Sequence, residues 1–166
     1  MLGDGMSDLR SAICPGTFDP IHLGHLDLVE RASCLFDRVV VLVAAQSGKS
    51  PMLELADRAE LARAALAPVE NAEIETFDGL LVDAAARLRA AAIVKGVRSF
   101  DDFQREQQMA LMNRQMLPQI DTVLLVTSPQ VQHISSSLIR EIWALGGDVS
   151  SFVPTSVADA LERMRH

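Results

Sequence analysis

The sequence predicts an α/β fold, a single domain on a parallel, doubly wound, five-stranded sheet with helices on both faces. Short apolar runs alternate with amphipathic runs along the chain, the pattern of strand and helix units laid around a parallel sheet. Two of the runs, Val39-Val40-Val41-Leu42-Val43 and Val123-Leu124-Leu125-Val126, are continuously apolar, as expected of strands covered on both faces. No internal repeat, low-complexity segment or long linker divides the chain.

Ser11-Ala12-Ile13-Cys14 reads as the end of a buried strand, and the helix that follows carries apolar residues at Leu26, Val29, Ala32 and Leu35. Strands are expected near 11–14, 38–45, 73–77, 92–95 and 122–127. Helices are expected near 24–35, 55–67, 81–90, 100–116, 136–145 and 154–164. Gly146-Gly147 is a stop signal for the fifth helix. Residues 1–10, rich in glycine and acid, read as a disordered extension ahead of a domain spanning 11–166. They lack the basic start and apolar run of a signal peptide.

With 166 residues, 49% of them apolar and 22% charged, the chain is globular rather than disordered. A domain of this length buries about 70% of its unfolded surface. The net charge of −7 speaks against a nucleic-acid binder, which needs a basic surface. Any anionic ligand must then be met by a local cluster of cations. Cys14 and Cys34 show no metal-binding or disulfide spacing and fit a reducing compartment. The longest strongly apolar run, Val39 to Ala45, is far short of the roughly 20 residues that cross a bilayer. The expectation is a cytoplasmic protein with no membrane partner.

The stretch Pro15-Gly16-Thr17-Phe18-Asp19-Pro20-Ile21-His22-Leu23-Gly24-His25 lies between the first strand and the first helix. Exposed N–H groups and the positive end of a helix dipole gather at such a turn, so it suits phosphate. Gly16 is expected to let the backbone approach a ligand, and Gly24 to leave room beside the following histidine. His22 and His25, three apart, share a face if Gly24 is already helical. In an open α/β sheet ligands bind beyond the carboxyl ends of the strands, where strand order reverses, so other site residues should also follow strands.

Three later segments do. Gln46-Ser47-Gly48-Lys49-Ser50-Pro51 contains Gly-Lys-Ser but no P-loop, because the first glycine of that motif would fall at Val43; Lys49 reads as a single cation at the mouth of the site. In Lys95-Gly96-Val97-Arg98 a glycine stands between two cations able to meet phosphates. In Ile134-Ser135-Ser136-Ser137 one serine suffices as an N-cap, which leaves hydroxyls and N–H groups suited to a polyphosphate. Met109 and Met112, at helical spacing, fit a core or an interface better than a ligand site.

The T-x-D-P-x-H-x-G-H string resembles the signature of the nucleotidyltransferase superfamily with its H-x-G-H motif. Together with Lys49 and Pro51-Met52, the Gly96-Val97-Arg98 turn, Phe103 with Glu106, Met112-Asn113-Arg114, Ile134 to Ser137 and Gly147-Asp148-Val149, it resembles the phosphopantetheine adenylyltransferase family over almost everything after residue 11. The resemblance implies a Rossmann-like fold, a homohexamer, and Mg-dependent transfer of the adenylyl group of ATP to 4′-phosphopantetheine, giving dephospho-coenzyme A and pyrophosphate. It implies His25 as the group that stabilises the transition state, with Lys49 beside it. Thr17, Phe18, His25, Gly96, Val97, Arg98, Glu106 and Val131, Gln132, His133, Ile134, Ser135, Ser136, Ser137 would line the ATP site. Thr17, Lys49, Leu81, Lys95 and Asn113 would hold the acceptor. No residue is assigned to a metal; Mg would bridge phosphate oxygens.

Three positions depart from the family's common pattern. Lys95 stands where many members have Arg, which turns a bidentate grip into a point-charge contact. Val131-Gln132-His133 replaces a stretch containing an aromatic residue. His22 stands where Thr is frequent. Two rival readings are adenylyl or cytidylyl transfer to another small phosphate ester such as nicotinamide mononucleotide, and a non-catalytic nucleotide-binding module.

Overall fold

The computed structural model describes residues 10–45 and 51–165. Five parallel strands form one sheet in the order β3-β2-β1-β4-β5. They are β1 (Ser11–Gly16), β2 (Arg38–Ala44), β3 (Ala72–Phe77), β4 (Ala92–Val97) and β5 (Asp121–Val126). The helices are α1 (Leu23–Ser33), α2 (Leu55–Leu66), α3 (Leu81–Arg87), α4 (Phe100–Met116), α5 (Ser136–Ala144) and α6 (Thr155–Arg163). All eleven elements lie within a few residues of their expected bounds. Arg10, read as part of the extension, donates its N–H to the Asp37 carboxylate and accepts the Asp37 N–H. Arg10 is thus tied to the chain just ahead of β2; residues 1–9 lie outside the described residues.

Strand alternation sorts the core into two layers. Ala12, Cys14, Val39, Val41, Val43 and Val94 face Val29 and Ala32 of α1, Ala59, Ala62 and Leu66 of α2, Ile139 of α5, and Val157 and Leu161 of α6. Ile13, Val40, Leu42 and Ile93 face Ala84 and Ala85 of α3 and Ile120 on the other side. The apolar run of β2 is buried throughout. That of β5 is not: Val123 to Leu125 are half-buried and Val126 is 71% exposed. The expectation of two covered faces fails there because β5 is an edge strand.

The chain runs outward from β1 through β2 to β3 and then returns to place β4 on the other side of β1. The strand order thus reverses between β1 and β4, and a crevice opens there beyond their carboxyl ends. Both the Pro15–His25 stretch and the Lys95–Arg98 turn leave the sheet at this point.

Candidate active site

β1 ends at Gly16, and the chain turns through Thr17 to Ile21 before α1 begins. Phe18 takes φ of 50° and the Asp19–Pro20 peptide is cis. Asp19, 3% exposed, anchors the turn. Its carboxylate accepts the N–H groups of Met52 at 2.8 Å and Leu53 at 2.9 Å, and its carbonyl accepts from Arg140 Nη1 at 2.6 Å. The next carbonyl, of Pro20, accepts the Ser136 hydroxyl at 3.0 Å. The first motif is thereby fixed to the start of α2 and to the serine turn more than a hundred residues later.

His22 caps α1. Its Nδ1 accepts the Gly24 N–H at 3.1 Å, while Nδ1 of His25 accepts the His22 N–H at 3.1 Å. The two rings stack with centroids 3.7 Å apart, and Phe18 meets the His25 ring edge-on at 4.8 Å. With both Nδ1 atoms accepting, the heavy-atom geometry assigns the proton of each neutral ring to Nε2. Burial, seconded by the charge of Arg98, pushes the His22 imidazole down to about 4. Burial also holds His25 well below the ordinary histidine value, followed by the influence of His22, Arg98 and Lys95. Both rings are neutral near pH 7, and His25 offers an Nε2–H donor.

Gly24 serves the preceding histidine, not the following one: a Cβ there would stand 3.0 Å from Cε1 of His22. At Gly16 a Cβ would meet the Phe18 ring at 3.0 Å, so the space its hydrogen leaves belongs to the core side. At Gly96 a Cβ would find only ordinary contacts with Leu28 and Thr127.

These turns surround a cleft of about 660 Å³. Of the residues expected at the site, Thr17, Phe18 and His25 line it from the first turn, and Lys95, Gly96, Arg98 and Glu106 from β4 and α4. Val131, Ile134, Ser135, Ser136 and Ser137 close it on the third side. Gln132 and His133 instead line an adjoining shallow hollow of about 400 Å³, shared with Arg98 and Asp102. Val97 is buried and lines neither. Leu81 lies beyond β3, two strands from β1, and packs on the α3 side of the sheet. Asn113 is buried in α4, away from the cleft lining. Lys49 lies outside the described residues.

The cations are already engaged. Lys95 Nζ is 3.3 Å from Glu106. Arg98 donates through Nε to Asp102 at 3.1 Å and through Nη1 to the Ile134 carbonyl at 2.9 Å. Burial alone would raise the Asp102 carboxyl, but hydrogen bonds from Arg105 and Arg98 and the charge of Arg98 outweigh it and hold the group below its usual value. Among the serines, Ser135 caps α5 by accepting the Leu138 N–H, Ser136 is taken by Pro20, and Ser137 pairs with Ser135 at 3.2 Å. The hydroxyls the sequence presents as spare are thus partly committed within the protein.

Sequence reasoning gave no role to Asp19, Asp102, Thr127 or Arg140, all of which line the cleft. Arg140 was the most accessible of these: it follows Ser136 by one helical turn, and such a pair shares a face. Among the described residues no helix is long and apolar enough to cross a membrane.

The chain is similar to known proteins in sequence and in fold. A family model described as cytidylyltransferase-like matches residues 13–142, from β1 into α5. The chain is 44% identical over 156 residues to the phosphopantetheine adenylyltransferase of Shouchella clausii, covering 94% of this chain and 98% of that one. A solved structure from Vibrio parahaemolyticus, of a protein described as a nicotinate-nucleotide adenylyltransferase, superposes with a TM-score of 0.63 at 21% identity, covering 91% of this chain and 97% of that one. A lipopolysaccharide core biosynthesis protein from Thermoplasma volcanium superposes with a TM-score of 0.53 at 20% identity, over 72% of this chain and 97% of the other. At those identities the two structures speak for the fold alone. The near full-length match to the Shouchella clausii protein decides the family: the chain belongs to the phosphopantetheine adenylyltransferases, within the cytidylyltransferase-like group.

Proposed function

We propose that the protein transfers the adenylyl group of ATP to 4′-phosphopantetheine, giving dephospho-coenzyme A and pyrophosphate in coenzyme A synthesis. The observation that carries this reading is the 44% identity, over 94% of the chain, to a phosphopantetheine adenylyltransferase. The cleft supports it by gathering cations and N–H donors at the strand switch point.

A phosphate oxygen of the acceptor attacks the α-phosphorus of ATP, and the bond from that phosphorus to the bridging oxygen breaks, with pyrophosphate taking the electron pair. No protein nucleophile is needed. Two anions must be brought together and aligned, so positioning and charge neutralisation are the protein's work. His25, neutral and with Nε2–H as donor, stabilises charge on the α-phosphoryl oxygens as a hydrogen-bond donor and not as a proton shuttle. Lys49 acts beside it. Arg98 and the Ser135–Ser137 turn take the β- and γ-phosphates, and Lys95 takes the phosphate of the acceptor. ATP enters as its Mg complex.

The test offers ATP and Mg with 4′-phosphopantetheine, nicotinamide mononucleotide or glycerol 3-phosphate in parallel and measures pyrophosphate. Release with phosphopantetheine alone is expected. Release with another acceptor, or with none, overturns the reading.

We further propose a cytoplasmic homohexamer. The support for a hexamer is the set of large apolar side chains left exposed on α4, Phe100, Met109, Leu111, Met112 and Met116, together with Val126 at the end of the edge strand. Light scattering on the purified protein distinguishes a hexamer from a monomer.

A further inference from the structure

Arg58, in the first turn of α2, is 1% exposed and among the largest fully buried side chains. A buried guanidinium keeps its charge and is costly unless its N–H groups are satisfied. Here main-chain carbonyls satisfy them. Nε donates to the Leu53 carbonyl at 3.1 Å, and Nη1 donates to the carbonyls of Thr17 at 2.8 Å and Ala44 at 2.9 Å. No carboxylate among the described residues lies within ion-pair distance of it. An apolar side chain would fill the same space without the cost of burying a charge. What the guanidinium does, and an apolar group cannot, is tie together the carboxyl ends of two neighbouring strands: Thr17 follows β1 directly and Ala44 ends β2.

The Thr17–Phe18 peptide is trans, so its N–H points away from its carbonyl. The carbonyl is held from within the core by Arg58. Phe18 as a whole is only 4% exposed, yet it lines the cleft together with Thr17, so their shared peptide lies at the cleft wall. The Phe18 N–H meets no acceptor among the described residues. We propose that Arg58 is a positioning residue for adenylyl transfer: by fixing the Thr17 carbonyl it turns the Phe18 N–H into the cleft as a preset donor to phosphate. This rests on the adenylyl-transfer reading above.

The test compares full-length Arg58→Met, Arg58→Lys and wild type, each shown folded by circular dichroism and assayed well below its thermal midpoint. Wild-type turnover with phosphopantetheine judges the functional reading; the ratio of variant to wild type judges Arg58. In Arg58→Met, kcat per folded molecule falls roughly 10- to 100-fold, the scale of a displaced reacting group, and ATP affinity weakens severalfold. Arg58→Lys, whose ammonium still reaches for the carbonyls, recovers part of the loss. A merely structural role lowers the midpoint and leaves kcat per folded molecule at the wild-type value, which overturns the proposal.

Should Arg58→Met not fold, Arg58→Lys carries the test through coupling. A severalfold loss of kcat is expected, and Thr17→Ala then costs less in that background than in wild type because the turn is already loosened. Wild-type turnover in Arg58→Lys, strict additivity with Thr17→Ala, or failure of both Arg58 variants to fold overturns the proposal. If wild type is inactive with phosphopantetheine, the same comparison on ATP affinity by calorimetry decides: unchanged affinity in the folded variants overturns it.

Discussion

His22 and His25 hold each other in place: each Nδ1 accepts a main-chain N–H of the same turn, the His25 ring takes that of His22, and the two rings stack 3.7 Å apart. The arrangement caps α1 and fixes the tautomer of His25 in one stroke. Protonating either Nδ1 removes an acceptor from the first turn and places a charge beside Arg98. The histidine pair is therefore both a structural element and the reason His25 can act as a neutral donor.

Acid should loosen the fold through His22. An unfolded histidine titrates near 6.5, whereas folded His22 titrates at about 4. Above pH 6.5 both states are neutral and the contribution is fully present. As the pH falls from 6.5 toward 4, the unfolded chain binds a proton that the folded one refuses, and stability is lost. The loss attributable to His22 is about 3 kcal/mol at most. His22→Thr keeps an N-cap and removes that titration. Urea unfolding of both proteins between pH 7.5 and 4.5 is expected to show a shallower decline in the variant; parallel curves would refute the assignment.

His25→Ala should lower kcat about 10²–10³-fold, the cost of losing one preset donor to developing charge, with ATP affinity nearly unchanged. Because the wild-type ring stays neutral far below its ordinary value, the wild-type kcat profile should show no inflection near pH 6.5. Steady-state kinetics from pH 5.5 to 8.5, with ATP affinity by calorimetry, check both. An acid limb near 6.5 would mean that His25 works as an acid or base instead.

The local part of this molecule was legible in the sequence because its signals are local. The apolar run of β2 is buried as it reads, and the alternation of strands and helices is the order observed. The turns expected to hold phosphate follow the ends of β1 and β4, on the side of a parallel sheet where ligands bind. What periodicity could not show is who partners whom across the chain. Arg140 reaches Asp19 over 121 residues, and Arg58 reaches Thr17 over 41; neither spacing follows from any repeat. The exposed end of β5 was misread because an edge strand and a central strand share the same apolar string. Gly24 was read toward His25 because only the ring geometry reveals that His22 folds over it.

Lys95 should separate the two substrates. It pairs with Glu106 at 3.3 Å inside the cleft, so an incoming phosphate competes with a carboxylate for one ammonium. Lys95→Gln removes the cation while keeping a donor of similar reach. The KM for phosphopantetheine is expected to rise about 10- to 100-fold, the worth of a hydrogen bond to a charged group, with the KM for ATP changed less than about threefold. Equal rises for both substrates would place Lys95 with the nucleotide.

Gly24→Ala tests the histidine pair from the other side. Alanine is the better helix former by about 1 kcal/mol, and in an open site the change would stabilise α1. Here the new methyl would stand 3.0 Å from Cε1 and 3.1 Å from Nδ1 of His22, so the ring must give by a few tenths of an ångström, against the hydrogen bond that caps α1 and its stack on His25. The expected outcome is a lower thermal midpoint and a kcat reduced about 10-fold or more, since a misplaced catalytic group is costly. With His22→Thr the obstructing ring is gone, and Gly24→Ala should then be neutral or stabilising. Thermal midpoints and kcat of the two single variants and the double variant decide the matter: a penalty from Gly24→Ala that persists unchanged beside Thr at position 22 would show that the glycine serves some contact other than the His22 ring.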